Sequence, residues 1–156
     1  MVSLFCGCGV LLFLSNWTPE ISLLINRWQW ERSKPSAYYV EVIEHTAHKG
    51  SWHWAIYVQE SQPTTFTLLK TTEPKGTSWL NPKEINLELI FDLAGRCARA
   101  GIVYCGLEFD PQFHFPTYMV DYPDVIVEVK HFIPCEQNLS NCQIGEKVLP
   151  SKSQRP

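Results

Sequence analysis

The sequence carries none of the short signatures that announce common chemistries. There is no GxSxG for a nucleophile elbow, no GxGxxG or P-loop for a phosphate, no HExxH for zinc, and no CxxC for a metal or for thiol–disulfide exchange. Positive charge is not in excess. Sixteen acids stand against thirteen bases, a net charge of −3, so the clustered Lys and Arg of a nucleic-acid binder are missing and no nucleic-acid partner is expected. No apolar run reaches the roughly 20 residues of a straight transmembrane helix. There is no internal repeat, and no low-complexity tract beyond a polar tail at Ser151–Pro156.

What is present describes a folded domain. A chain of 156 residues, 45% hydrophobic and 19% charged, is long enough for a real core and too apolar for disorder. The boundaries read as an apolar leader over 1–15, a single domain over 16–142 and a polar tail over 143–156. Val2 to Leu14 has the length of a signal-peptide core, although no Lys or Arg precedes it and no small-x-small cleavage site follows at Leu14-Ser15-Asn16. Cys8 after Gly7 has the look of a lipid-attachment cysteine, but most of the apolar run lies after it, the reverse of the usual order. The leader is expected to act as an export signal or a weak membrane anchor. The alternative is an apolar segment packed on the domain.

Periodicity supplies the elements. Thr18-Pro19 opens a helix that must stop before Pro35, with Ile21, Leu24, Ile25 and Trp28 as its apolar line. Strands follow at Tyr38–Glu44, Ser51–Glu60 and, after a turn at Ser61-Gln62-Pro63, Thr64–Lys70. Their short connections make an antiparallel meander. Asn81, Pro82 and Glu84 read as the capping box of a second helix that runs to Gly101 along Ile85, Leu89, Leu93 and Cys97. Three more strands are predicted at Ile102–Phe109, Thr117–Val120 and Val125–Phe132. The fold class is therefore α+β: one curved antiparallel sheet with two helices packed on one face. Trp52, Trp54, Val103, Leu107 and Val127 are the expected core, covered by Ile85, Leu89 and Leu93. Trp30 is expected to be buried or half-buried as well.

The cysteines bear on the compartment. Cys6 and Cys8 lie in the leader. Cys97, Cys105, Cys135 and Cys142 form an even set that suits disulfides in an exported protein, with three connectivities possible. A helix folding back at Gly101 sets Cys97 opposite Cys105, and Cys135 and Cys142 bracket a short loop after the last strand. The predicted pairs are therefore Cys97–Cys105 and Cys135–Cys142. Four unpaired thiols in a cytoplasmic protein is the alternative.

One stretch carries a resemblance. Phe109, Asp110, Pro111, His114, Phe115 and Pro116 follow a helix of the type Ile-Asn-Leu-Glu-Leu-Ile-Phe-Asp-Leu-Ala, and a Trp-led helix and a Tyr-Tyr strand come earlier. Over roughly Trp28 to Phe132 this resembles a family of small bacterial domains of unknown function found behind lipoprotein-type or secretory leaders, in which the turn reads Tyr-Asp-Pro-x-x-Gly-Tyr-Pro. His114 stands where that family has glycine. The resemblance implies an exported α+β domain and lends no catalytic residues.

Candidate sites are few. Five acids against the single base Lys130 crowd Ile102–Lys130. Of these, Asp110 and Asp121, with His114, could hold a cation or serve as acid and base. Set against this, Asp before Pro is a common turn-initiating pair whose carboxylate bonds nearby N–H groups. Metal binding would require His53, His114 or His131 to converge through the fold. No catalytic residue, metal or cofactor is assigned. The functional expectation is a non-catalytic domain of the cell envelope that binds an unidentified protein or cell-wall partner, exported or membrane-associated through its leader. The alternatives are a small enzyme or metal-binding domain built on Asp110, His114 and Asp121, and a cytoplasmic location.

Overall fold

In the computed structural model, residues 18–74, 76–100, 105–121, 125–135 and 142 are described. The leader, Val103 and the tail lie outside them. Thr18 caps the first helix, α1 (Pro19–Ser33), and its Oγ1 accepts from Ile21 N at 3.5 Å. Three strands follow: β1 (Ala37–Thr46), β2 (Gly50–Gln59) and β3 (Gln62–Thr71). After α2 (Leu87–Ala100) come β4 (Cys105–Phe109), β5 (Pro116–Asp121) and β6 (Val125–Cys135). The six strands form one antiparallel sheet in the order β3-β2-β1-β6-β5-β4. β1 is central because β6 returns from the second half of the chain to pair with it.

Alternation divides the sheet into two faces. Tyr38, Val40 and Val42 of β1, Ile56 and Val58 of β2, and Val127 and Val129 of β6 join Leu23 and Trp30 of α1 and Ile90, Phe91, Leu93, Ala94 and Cys97 of α2 in one core. Trp30 lies at its centre, fully buried, with the rings of Tyr38, Phe115 and Phe132 edge-on at 5.8–5.9 Å. Trp52 and Val127 are buried as expected, while Trp54, Leu89 and Leu107 are half-buried against the core.

Three local expectations are corrected. The apolar line of α1 does not face the core. Ile21, Leu24 and Trp28 are 45%, 67% and 59% exposed; Leu23 is buried in their place, beside Trp30, which is buried as expected. The helix has apolar residues on both sides, so spacing alone does not choose the packed face. Helix α2 does not start at Asn81. Asn81, Lys83 and Glu84 form an isolated turn, with Lys83 N donating to Asn81 Oδ1 and Asn81 Nδ2 donating to Glu84. The residue that caps α2 is Asn86. Its Oδ1 accepts from Leu89 N at 2.7 Å and its amide donates to Ser61 O, while the buried Tyr38 hydroxyl accepts from Leu87 N. Finally, the β2–β3 connection is the two-residue turn Glu60-Ser61, with both φ values positive (50° and 62°), a geometry that matches the twist of a hairpin. Pro63 therefore lies inside β3, where an edge strand tolerates it.

Both predicted disulfides are formed. Cys97 and Cys105 join the last turn of α2 to the start of β4, with Cα atoms 5.2 Å apart. Cys135 and Cys142 tie the end of β6 to the chain beyond it, at 4.5 Å.

Candidate functional site

The Asp-Pro turn is built by hydrogen bonds around Asp110. Its Oδ1 accepts from Gln112 N at 2.8 Å and from Phe113 N at 2.6 Å, its carbonyl accepts from His114 N, and its own N donates to Phe115 O. His114 adopts φ 65°, the left-handed region that glycine enters without cost. The turn drives Phe115 into the core beside Trp30, with Phe113 against Phe132 at 4.9 Å. Asp121 ends the far side of β5, where its backbone pairs with Cys105 and Val125. The whole of β5, on the order of 17 Å at strand rise, therefore separates it from the Asp110–His114 turn. Asp110 and His114 are brought together, and Asp121 is not brought to them.

A second polar cluster lies on the sheet face opposite the core: His53 and His131, two of the three histidines whose convergence the sequence raised, meet at Glu41, which the sequence did not single out. Glu41 of β1 is opposite His131 of β6 and diagonal to His53 of β2. Its carboxylate is mostly buried, with Oε1 accepting from the Tyr39 hydroxyl at 2.6 Å and Oε2 from His53 Nε2 at 2.9 Å. His131 Nε2 lies 4.0 Å from Oε2. Burial raises the Tyr39 hydroxyl pKa, and the bond to Glu41 adds to the shift, so the phenol stays a donor at neutral pH. The ring of Tyr57 lies 5.1 Å from that of Tyr39. The available signal was alternation: Tyr39, Glu41 and His53 fall on one face once β1 and β2 are paired. Glu41 thus links the two strands that flank β1, through a hydrogen bond to His53 and a longer contact to His131. Among the described residues, however, no three His, Cys, Asp or Glu side chains are gathered around one point as a bound metal ion requires.

A surface cleft lies elsewhere. A cleft of about 460 Å³ lies between the β2–β3 ribbon and the loop that leads to α2, lined by Trp52, Trp54, Leu68, Pro74 and Trp79. Its volume is in the range of small-ligand sites. The loop wall is fixed by Glu44, which is fully buried on the core side of β1. One carboxylate oxygen accepts from Trp79 N at 2.7 Å, and the other from Leu80 N at 3.0 Å and Ser78 Oγ at 2.5 Å. A carboxylate with three donors is a fixed anchor and is not offered to a ligand. Beside the cleft, β3 exposes Phe66, Leu68 and Leu69 (38–42%). Among the described residues no strand pairs with its outer edge.

Disulfides persist in oxidising compartments, and the two bridges fit an extracellular-type environment. No helix among the described residues is long and apolar enough to cross a membrane. Compared with family models, with curated proteins and with solved structures, the chain matches none, so the resemblance to the bacterial domain family rests on the quoted residues alone.

Proposed function

We propose that the chain is an exported binding domain of the cell envelope, with no catalytic role, that takes a protein partner along β3 and seats one of its apolar side chains in the tryptophan-lined cleft. The observation that carries this reading is the outer edge of β3, which no strand among the described residues pairs, with Phe66, Leu68 and Leu69 exposed beside Trp54 and Trp79. An edge strand offers a row of backbone donors and acceptors to an extended segment, and a neighbouring pocket adds side-chain selection. Pro63, Lys70 and two register shifts guard this edge, features that discourage indiscriminate edge-to-edge pairing. They leave Thr65–Leu68 as the regular stretch for a specific partner. The placement of Asp121 at the other end of β5 from Asp110 and His114 favours this reading over an acid-rich active site.

The test is affinity capture from envelope extract with wild-type protein, Leu68→Glu and Trp79→Ser, and with Leu24→Glu as a control on the distant helix. A protein captured by the wild type and by Leu24→Glu, and lost with both cleft variants, supports the reading. Capture that is indifferent to Leu68 and Trp79 defeats it. Sedimentation with purified cell wall in place of protein capture would move the partner from protein to glycan.

A further inference from the structure

The outer surface of α1 has its own pattern. Ile21, Leu24 and Trp28 stand three and seven residues apart, so they form one stripe along the helix. They are three of the seven large hydrophobic side chains exposed among the described residues. None of the polar groups buried on the opposite sheet face is near them.

Two further observations bear on what covers the stripe. The first is the chain that leads into it. Val2 to Leu14 is almost wholly apolar and ends four residues before the Thr18 cap. Whatever apolar medium receives that segment lies within reach of the start of the stripe. The second is charge. Three of the four acids on the two helices are engaged, Asp92 with Arg27, and Glu31 and Glu88 with Lys34, while Glu20 in the first turn of α1 has no ion-pair partner among the described residues. Arg32, Arg96 and Arg99 have no ion-pair partner among the described residues. The Arg32 guanidinium lies over the Trp28 ring at 4.4 Å, and Arg96 and Arg99 share a shallow groove with Arg27 between the two helices. An apolar stripe with tryptophan, rimmed by arginines that lack carboxylates, is complementary to a surface that is apolar inside and anionic outside. A tryptophan ring with a cation beside it belongs at the headgroup level of a bilayer.

We propose that the helix layer docks on an anionic lipid bilayer: Ile21, Leu24 and Trp28 enter the headgroup–acyl boundary and Arg32, Arg96 and Arg99 pair with lipid phosphates. The sheet face that carries Glu41, His53 and His131 then points away from the membrane. This goes beyond partner binding at β3 and does not depend on it: the stripe and the β3 edge share no residue, and the one link between the two surfaces is Arg96, whose guanidinium also lies over the Trp79 ring at 5.8 Å.

The experiment uses the full chain and vesicles of phosphatidylcholine, with or without phosphatidylglycerol. Flotation is read together with quenching of tryptophan fluorescence by lipids brominated on the acyl chain, comparing wild type with Trp28→Phe. The difference isolates Trp28 even if the leader holds the protein on lipid. The expected result is flotation with anionic vesicles, a quenched component that Trp28→Phe removes, and an affinity drop on the order of a hundredfold in Arg32→Gln/Arg96→Gln/Arg99→Gln on anionic vesicles only. These positions are exposed or over exposed rings, so far-ultraviolet circular dichroism should be unchanged. Absence of flotation would overturn the proposal. So would lipid-bound protein whose quenching is the same with and without Trp28, the result expected if the leader folds over the stripe. A dimer in the absence of lipid that Leu24→Glu dissociates would also overturn it, by assigning the stripe to a second copy.

Discussion

Removal of the Glu44 carboxylate tests the link between the central strand and the cleft. Glu44 lies on β1 between Trp52 of β2 and Val127 of β6 and is inaccessible to solvent. It holds Trp79 N, Leu80 N and Ser78 Oγ at 2.5–3.0 Å. Hydrogen bonds to a charged group contribute about 1.5–3 kcal/mol each, and a buried donor left without a partner costs about 1–3 kcal/mol. Glu44→Gln keeps the shape and one acceptor oxygen but turns an NH₂ toward donors, so one bond is lost outright and the rest lose their charge. The expected cost is about 2–4 kcal/mol. Glu44→Ala strands the Trp79 and Leu80 N–H groups, while the Ser78 hydroxyl keeps Leu80 O as an acceptor, and opens a cavity, for about 4–5 kcal/mol. At roughly 3 °C per kcal/mol for a domain of this size, Glu44→Gln should melt about 6–12 °C below the wild type. Urea unfolding followed by circular dichroism gives the free energy. Fluorescence of the native state reports on Trp79, which should become more mobile once its backbone anchor is gone. A Glu44→Gln protein within about 0.5 kcal/mol of the wild type, the range of a neutral surface change, would refute the view that this carboxylate holds the cleft wall.

Three further outcomes follow from the geometry. Asn86→Ala should destabilise by about 1–2 kcal/mol through loss of the cap on Leu89 N and of the bond to Ser61 O, whereas Asn81→Ala should stay within about 0.5 kcal/mol; equal losses in urea unfolding would return the helix start to Asn81. His114→Gly should keep or raise stability by up to about 1 kcal/mol, because it relieves a left-handed side chain, while His114→Val should lower it; a calorimetric midpoint that falls for glycine would show that the imidazole makes a contact of its own. Stability should fall as pH rises above about 10, where unfolded tyrosines ionise, because burial raises the folded-state pKa of Tyr38 and Tyr39. The native state then keeps protons that the unfolded chain has released, so the loss continues through the folded-state values. Tyr38→Phe should flatten part of that decline in unfolding free energy measured against pH.

Patterns that depend only on near neighbours were legible in the sequence. The Thr18-Pro19 opening, alternation in β1 and β2, the turn chemistry of Asp110-Pro111 and the two short-range cysteine pairs all act over a few residues or across one reversal of the chain, and each is realised. The start of α2 was misread because its cap is completed from elsewhere. A good capping box at Asn81 loses to Asn86, whose first turn gains the Tyr38 hydroxyl and whose amide reaches Ser61. Burial of Trp30 was legible, but helical spacing in α1 allowed two apolar faces, and only the packing of Tyr38, Phe115 and Phe132 around Trp30 decided that Trp28 faces outward.

By itself, then, the sequence determined the number and kind of elements, the antiparallel hairpins, the local disulfides and the turn that buries Phe115, because backbone preference and side-chain period operate at short range. Only the tertiary structure decided that β6 lies beside β1, and with that pairing came everything between distant residues. It put His131 opposite Glu41, brought Glu44 under the Ser78–Leu80 loop, left β3 as an open edge and turned Ile21, Leu24 and Trp28 outward. These are contacts and exposures across tens of residues, set by how the sheet closes around its core, and no local pattern encodes them.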